Sequence, residues 1–211
     1  MRNRKVNMAI RLLFLVVFGI LMITGRFQIW LILYIAGVLV SPIFGRIYCG
    51  YVCPMNTVMR PIQKFSRKIG LQRMNVPSWL ESPKLAYVVL ALTLITLFLG
   101  KSMFNIQLPI LLILFFLSII VTFFVKSPVW HNGLCPYSIL LRLGAKFARY
   151  SKQVDQSACV GTRHCMKVCP SGAISAPRES GKAVIDTALC HQCEACSSVC
   201  PSTAISYHRH R

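Results

Sequence analysis

Residues 190–201 read CHQCEACSSVCP, and the cysteines of this segment predict the fold of the C-terminal part of the chain. Its cysteines follow the spacing C-x2-C-x2-C-x3-C-P, which is typical of bacterial-type iron–sulfur ligation. Cys190, Cys193 and Cys196 lie close enough on one loop to bind three corners of a cubane. The fourth cysteine of such a run, here Cys200, ligates a different cluster. The run therefore predicts a partner run elsewhere in the chain.

The partner run lies 31 residues upstream, where residues 159–170 read CVGTRHCMKVCP. The shift matches cysteine to cysteine at three positions and keeps the final proline, so the tail is an internal repeat of two cluster-binding halves. Crossed ligation then assigns one complete [4Fe-4S] centre to four thiolates. These are Cys169, Cys190, Cys193 and Cys196.

The second centre lacks a ligand, because Thr162 stands where the repeat calls for the equivalent of Cys193. A neutral hydroxyl is a poor iron ligand beside soft thiolates. This centre is therefore predicted to be [3Fe-4S], or [4Fe-4S] with water or another side chain on one iron. Two alternatives stay open: His164 as a substitute ligand, although a solvent-facing histidine is favoured, and a first half that holds no cluster. The remaining ligands are Cys159, Cys165 and Cys200.

The composition indicates that lipid surrounds much of the chain. Hydrophobic residues make up 55% and charged residues 14%, and the mean hydropathy is +0.58, values that do not fit a soluble domain. We predict four membrane-spanning helices, the third being short for a ~30 Å hydrocarbon core. A cleaved signal peptide competes for residues 1–24, but no small-residue cleavage site follows. The predicted spans are residues 8–24, 27–44, 85–99 and 108–125.

Arg11 lies in the first span and is expected to snorkel to the membrane interface. Other basic residues are concentrated before the first span, between the second and third, and after the fourth, and only Arg26 and Lys101 lie in the other connections. The positive-inside rule then places both termini and the clusters on the cytoplasmic side of a bacterial or archaeal membrane. The ten cysteines, in that reducing compartment, favour metal or redox chemistry over disulfides.

The charge balance indicates the kind of partner. The chain has 24 basic and 5 acidic residues, a net charge of +19. A positive-inside excess against anionic membrane lipid is expected to account for most of this charge, and an acidic redox protein is the sharper interpretation. No basic–aromatic recognition motif is present, so nucleic acid is not expected as a partner. No nucleophile–base pair or pair of carboxylates indicates hydrolase or transferase chemistry.

The membrane half is a second repeat, with a shift of 82 residues. Each half is predicted to be a helical hairpin that ends in a C-x3-C-P-like turn and an amphipathic surface segment, at residues 55–68 and 136–149. If the halves pack symmetrically, a quartet of side chains converges as a candidate zinc or iron–sulfur site. A redox dithiol and buried apolar cysteines remain alternatives. The quartet is Cys49, Cys53, His131 and Cys135.

These features together resemble the polyferredoxin membrane components of the NapH and NosR kind, over nearly the whole chain. The resemblance implies electron transfer between quinone or cytoplasmic carriers and flavin, heme or metal enzymes. Two departures bear on the cofactors: His131 replaces the first cysteine of the second membrane motif, and Thr162 interrupts the first ferredoxin motif.

We therefore predict an α-helical integral membrane domain of two pseudo-repeated hairpins at residues 1–150. A small α+β ferredoxin-like domain with two clusters follows at residues 151–211, with short strands at 182–186 and 204–207. The predicted function is single-electron transfer to or from a flavin, heme or iron–sulfur partner. A quinol dehydrogenase subunit and an assembly or sensing factor with structural clusters are the alternatives. Quinone contacts would come from aromatic side chains that equally suit an interfacial belt, namely Trp30, Tyr48, Trp130 and His131.

Overall fold

The computed structural model describes residues 2–72, 77, 80, 82–104 and 110–209. The chain separates into two compact units. The first comprises Met1–Cys53 together with Leu140–Arg211, and the second comprises Pro54–Ile139. The cluster-binding tail therefore belongs to the same unit as the first helical hairpin.

The first unit begins with two long apolar helices, α1 (Arg2–Ile23) and α2 (Phe27–Phe44). A turn at Gly25, whose φ of 69° favours glycine, joins them. Lys5–Ile23 and Phe27–Phe44 are both long and apolar enough to cross a membrane. This evidence rests on length and composition, and it weakly suggests membrane association of the N-terminal part.

The second unit contains α3 (Pro54–Ile69), α4 (Pro83–Phe104), α5 (Ile110–Phe124) and the short α6 (Ser127–Val129). The third predicted span is thus part of a longer helix, while residues 108–109 of the fourth lie outside the described residues. The apolar segments Lys84–Gly100 and Ile110–Phe124 are shorter than those of the first hairpin. Four membrane-spanning helices therefore remain a prediction.

The 82-residue sequence repeat is matched in the structure by one similar turn in each unit. Tyr48–Val52 and Trp130–Leu134 each form a single π-helical turn. In both cases the next cysteine is extended and its N–H bonds back to the first residue of the turn, at 2.9 Å for Cys53 and 2.8 Å for Cys135. A proline follows and starts or precedes the next helix. Turns of this kind are rare and concentrate at functional sites.

The tail has two small antiparallel sheets related by the 31-residue repeat. β1 (Tyr150–Val154) pairs with β4 (Ile205–Arg209), and β2 (Ile174–Ser175) pairs with β3 (Val184–Ile185). The short helices α7 (Tyr137–Ala145) and α8 (His164–Val168) and a 3-10 turn (Ser197–Val199) complete the described elements. Strands were expected at 182–186 and 204–207, where β3 and β4 lie. β1 and β2 were not predicted.

Candidate iron–sulfur sites

Four thiols line one cavity in the first unit, here called the four-cysteine site. Three come from the loop that links β3 to the 3-10 turn, and the fourth comes from the end of α8. This grouping is the one that crossed ligation predicts. The lining cysteines are Cys169, Cys190, Cys193 and Cys196.

A second cavity forms the three-cysteine site. Its thiols are those of Cys159, Cys165 and Cys200. Thr162 lines the same cavity and is exposed to solvent, so the position of the missing fourth ligand opens outward. His164 is also exposed, in agreement with the favoured expectation that it faces solvent.

The two sites share one small apolar core. Cys165 of one site and Cys196 of the other are each 8% exposed and pack with the same three side chains. A dry, low-dielectric shell of this kind controls the potential of a metal centre. The residues therefore fit two adjacent cysteine-ligated groups with little water between them. The shared side chains are Ile174, Ala183 and Ile205.

Burial and the neighbouring thiols set the acidity of these cysteines. Burial, followed by the nearby thiols, raises the pKa of Cys190 to about 12 and that of Cys196 to about 12. Burial also raises the pKa of Cys165. Burial acts in the same direction on Cys200, but hydrogen bonds led by the Ser202 hydroxyl outweigh it and lower the pKa. Because ligation requires thiolates, metal binding at the four-cysteine site must displace protons and strengthens as pH rises.

Hydrogen bonds to sulfur recur in both halves of the repeat. The backbone N–H of Gln192 donates to Cys190 Sγ at 3.5 Å. Each Cys-Pro pair is followed by a serine whose hydroxyl approaches the cysteine sulfur, at 3.5 Å for Cys169 and 3.6 Å for Cys200. Such bonds tune the potential of a cluster bound through these sulfurs.

The two cysteine loops keep the same backbone conformation despite the Thr162 substitution. Gln192 and Glu194 in the second loop have φ values of 55° and 61°. Their repeat equivalents, Gly161 and Arg163, have φ values of 71° and 57°. Non-glycine residues persist in this left-handed region when the surrounding structure requires it. The loop that lacks a cysteine is therefore still shaped as a cluster-binding loop.

Arg11 fastens the second cysteine loop to the first hairpin. Its Nε donates to Gly50 O at 2.9 Å, its Nη2 donates to Cys193 O at 2.8 Å, and its guanidinium lies 5.2 Å from the ring centroid of Tyr51. The side chain is 5% exposed. Snorkelling of Arg11 to the membrane interface stays a prediction; the structure shows its side chain buried in the protein and donating to two backbone carbonyls.

Further contacts hold the loop and the hairpin together. Asn7 Nδ2 donates to Glu194 Oε2 at 2.7 Å, and Lys152 Nζ lies 3.5 Å from Glu194 Oε1. A Cβ added to Gly50 would lie 2.1 Å from His191 O, so only glycine allows the π-helical turn to approach the loop this closely. The sequence analysis predicted none of these contacts. The one sequence feature that could have indicated a close backbone approach is Gly50, which lies between Cys49 and Cys53.

The predicted membrane-end quartet is divided between the two units. Cys49 and Cys53 belong to the first unit, where the buried Arg46 places its Nη2 3.8 Å from Cys49 Sγ. His131 and Cys135 are buried in the second unit. In the described part of the chain, no three His, Cys, Asp or Glu side chains lie close enough to share a single metal ion. This includes the thiols of the two cysteine sites, each of which would bind a group of several irons. Convergence of the quartet remains a prediction.

The aromatic residues considered for quinone contact are all buried. Trp30 and Tyr48 are 2% and 6% exposed in the first unit, where Trp30 packs edge-on against Phe18 and Tyr48 against Tyr34. Trp130 and His131 are 1% and 2% exposed in the second unit. These side chains pack inside the protein, which does not fit a lipid-facing aromatic belt.

Models of known iron–sulfur domains match three regions of the chain. A 4Fe-4S binding domain matches residues 28–72 and again residues 107–152, and a 4Fe-4S dicluster domain matches residues 158–204. The double match coincides with the two membrane motifs of the 82-residue repeat. The dicluster match covers both cysteine loops. No solved structure gives a significant match.

Three relatives show partial similarity. An uncharacterised protein of Methanocaldococcus jannaschii is 28% identical over 64% of this chain and 56% of its own length. The methylamine utilization ferredoxin-type protein MauN of Methylobacillus flagellatus is 30% identical over 66% of this chain and 53% of its length. YccM of Escherichia coli, for which electron transport is proposed, is 21% identical over 67% and 46%.

The chain thus spans about half the length of the curated relatives it matches. The domain matches and the names of two relatives support an iron–sulfur electron-transfer protein with ferredoxin-type 4Fe-4S sites.

Proposed function

We propose that the chain is a membrane-bound carrier that passes single electrons between a cytoplasmic or quinone-pool donor and a membrane-associated redox partner. The observation that carries this proposal is the pair of thiol-lined cavities that share one apolar core. Two such sites side by side suit a relay. We assign the [4Fe-4S] cluster to the four-cysteine site, and a [3Fe-4S] or incomplete [4Fe-4S] cluster to the three-cysteine site.

The chain's own residues would hold the groups and keep them dry. Bound iron–sulfur clusters accept and release single electrons, and the protein supplies position and electrostatics. Cys190 and Cys196 are buried, Ile174 and Ile205 exclude water between the sites, and the Gln192 N–H donates to sulfur. Arg11 and Lys152 add positive charge beside the four-cysteine site, which favours the reduced, more negative state of a cluster there.

Reversible redox cycling tests the proposal against a structural or sensing role. Purified protein is reduced with dithionite and reoxidised with ferricyanide over several cycles, and the visible absorption of the clusters is followed. A carrier recovers its oxidised spectrum in each cycle. Clusters that serve only assembly or sensing would be lost or rebuilt, and progressive bleaching would contradict electron transfer as the function.

The membrane arrangement within this proposal is four spanning helices with cytoplasmic clusters, as in the polyferredoxin proteins of the NapH and NosR kind. A reporter active only outside the cytoplasm should be silent when fused after residue 68 or at the C-terminus and active after residue 101. The reason is the excess of Lys and Arg in the first two regions. Activity measured in cells for the three fusions checks this, and the opposite pattern would place the clusters on the other side.

Thr162→Cys should complete the three-cysteine site. The loop already has the required conformation and Thr162 lines the cavity, so a thiol there adds the missing soft ligand. We expect about one more iron per chain and loss of any [3Fe-4S] EPR signal in the oxidised protein. Thr162→Ser is the matched control and should leave both readouts unchanged. Equal iron content in the cysteine variant and the wild type would show that another ligand already fills the position.

A further inference from the structure

The two cysteine loops have the same shape but opposite surroundings. In the second loop, the face formed by residues 191–194 is covered by the first hairpin. Gly50 lies against His191 O, Arg11 bonds to Cys193 O, and Asn7 bonds to Glu194. His191 is accordingly 1% exposed. This covered face gives the four-cysteine site its contact with the apolar helices.

The equivalent face of the first loop, residues 160–163, is open. Val160, which the repeat aligns with His191, is 67% exposed. Thr162 and Arg163 are exposed as well, and both line the three-cysteine cavity. The repeat therefore presents two similar faces, one against the hairpin and one to solvent beside the second cluster position.

The charge of the open face is uniformly basic. Arg163, His164 and Lys167 are all exposed, and residues 159–170 contain no acidic residue. At the position of Arg163 the second loop has Glu194, which binds Asn7 and Lys152. The open face also exposes apolar surface, since Met166 and Val168 are 36% and 39% exposed. Exposed apolar side chains beside basic ones suit a protein partner of the opposite charge.

We propose that the surface formed by residues 160–168, the open loop face, is the docking site for a soluble, acidic, one-electron redox protein. This inference rests on the proposed function. In the step, the reduced iron–sulfur or flavin group of the partner would give up one electron and be oxidised, and the iron–sulfur group that Cys159, Cys165 and Cys200 would hold would take up that electron and be reduced. No bond is made or broken. From there the electron would pass to the group at the four-cysteine site, which adjoins the same apolar core.

The test uses reduced plant-type ferredoxin, an acidic protein with a potential of about −400 mV, as the donor to the cluster-loaded full chain. Stopped-flow absorption gives the second-order rate constant at low and high salt. Charge steering should make the wild-type rate fall with ionic strength. Arg163→Glu combined with Lys167→Glu should slow the reaction about tenfold or more at low salt and remove most of the salt dependence.

The control is Arg209→Glu, which reverses one charge, half the change in the double variant, at an exposed residue at the far end of β4 from the cavity-lining Ile205. Arg209 pairs there with Tyr150, whose ring stacks on Phe44 of the first hairpin. It should retain the wild-type rate and salt dependence. Glutamate at position 163 suits the local backbone, because Glu194 has nearly the same φ in the second loop. Iron content and EPR of each variant verify that both clusters are present.

A wild-type rate in the double variant, or an equal loss in Arg209→Glu, would overturn the docking site. If the double variant instead loses binding to phosphatidylserine vesicles while keeping its rate with ferredoxin, the surface faces lipid and the proposal fails. Reduction by dithionite distinguishes a failure of the docking site from a failure of the proposed electron-transfer function. Wild-type protein that dithionite reduces and ferricyanide reoxidises reversibly, but that shows no salt-dependent reaction with ferredoxin, would contradict the docking site alone.

Discussion

Cys169→Ala should remove the complete [4Fe-4S] centre, although Cys169 lies 21 residues before Cys190 in the sequence. Its thiol lines the same cavity as the three cysteines of the second loop. Loss of one of four thiolates leaves an open coordination position and sharply lowers affinity. We expect the reduced protein to lose its [4Fe-4S] EPR signal and iron content to fall by about one cluster.

Cys200→Ala is the matched comparison, because it removes the repeat-equivalent cysteine. Cys200 lines the three-cysteine cavity instead, so this variant should keep the [4Fe-4S] signal and lose the signal of the other site. The reverse result, with Cys200→Ala losing the four-thiolate centre, would mean that each run ligates its own cluster and that the crossed arrangement is wrong.

Gly50→Ala should separate the second cysteine loop from the first hairpin. The added methyl group would lie 2.1 Å from His191 O, a backbone atom that cannot rotate away. Relief requires the π-helical turn or the loop to move, and the Arg11 bonds to Gly50 O and Cys193 O would be strained or lost. Overpacking of this kind costs about 1–3 kcal/mol. The measurement is the temperature at which cluster absorption is lost, which should fall by several degrees.

Gly19→Ala provides the control in α1. Apart from its chain neighbours and the nearby backbone of the same helix, no atom of the described residues lies within 4 Å of the added methyl group there, and alanine is favoured over glycine inside a helix. This variant should lose its cluster absorption at the wild-type temperature or slightly above it. If Gly50→Ala behaves like Gly19→Ala, the close seating of the loop on the hairpin does not contribute to stability.

The cysteine spacing predicts which thiols share a cavity, because ligand spacing is local and chemically specific. That these thiols bind clusters stays a prediction. Crossed ligation follows from the motif and places Cys169 with the second run, and the structure brings these four thiols to one cavity. The open position at Thr162 was equally visible, since one residue interrupts an otherwise regular repeat. The helices at Arg2–Ile23 and Phe27–Phe44 follow from apolar runs of sufficient length.

The packing of the second cysteine loop against the first hairpin could not be predicted, because it depends on residues distant in sequence. In the sequence, Arg11 lies near the start of the first apolar segment, where snorkelling is the usual outcome. Its carbonyl partners, Gly50 and Cys193, are 39 and 182 residues away. The strands β1 and β2 were missed for a similar reason, since short strands are defined by their partners rather than by alternation. Single π-helical turns have no distinctive sequence pattern.

We propose that electrons pass through two adjacent clusters of different type. EPR spectra of the purified protein, recorded oxidised and then during stepwise reduction, test this proposal together with iron and acid-labile sulfide counts. We expect a [3Fe-4S]-type signal in the oxidised protein, a [4Fe-4S]-type signal on reduction, and about seven or eight iron atoms per chain. Protein assembled under anaerobic conditions that contains no acid-labile sulfide, or shows neither signal, would contradict it.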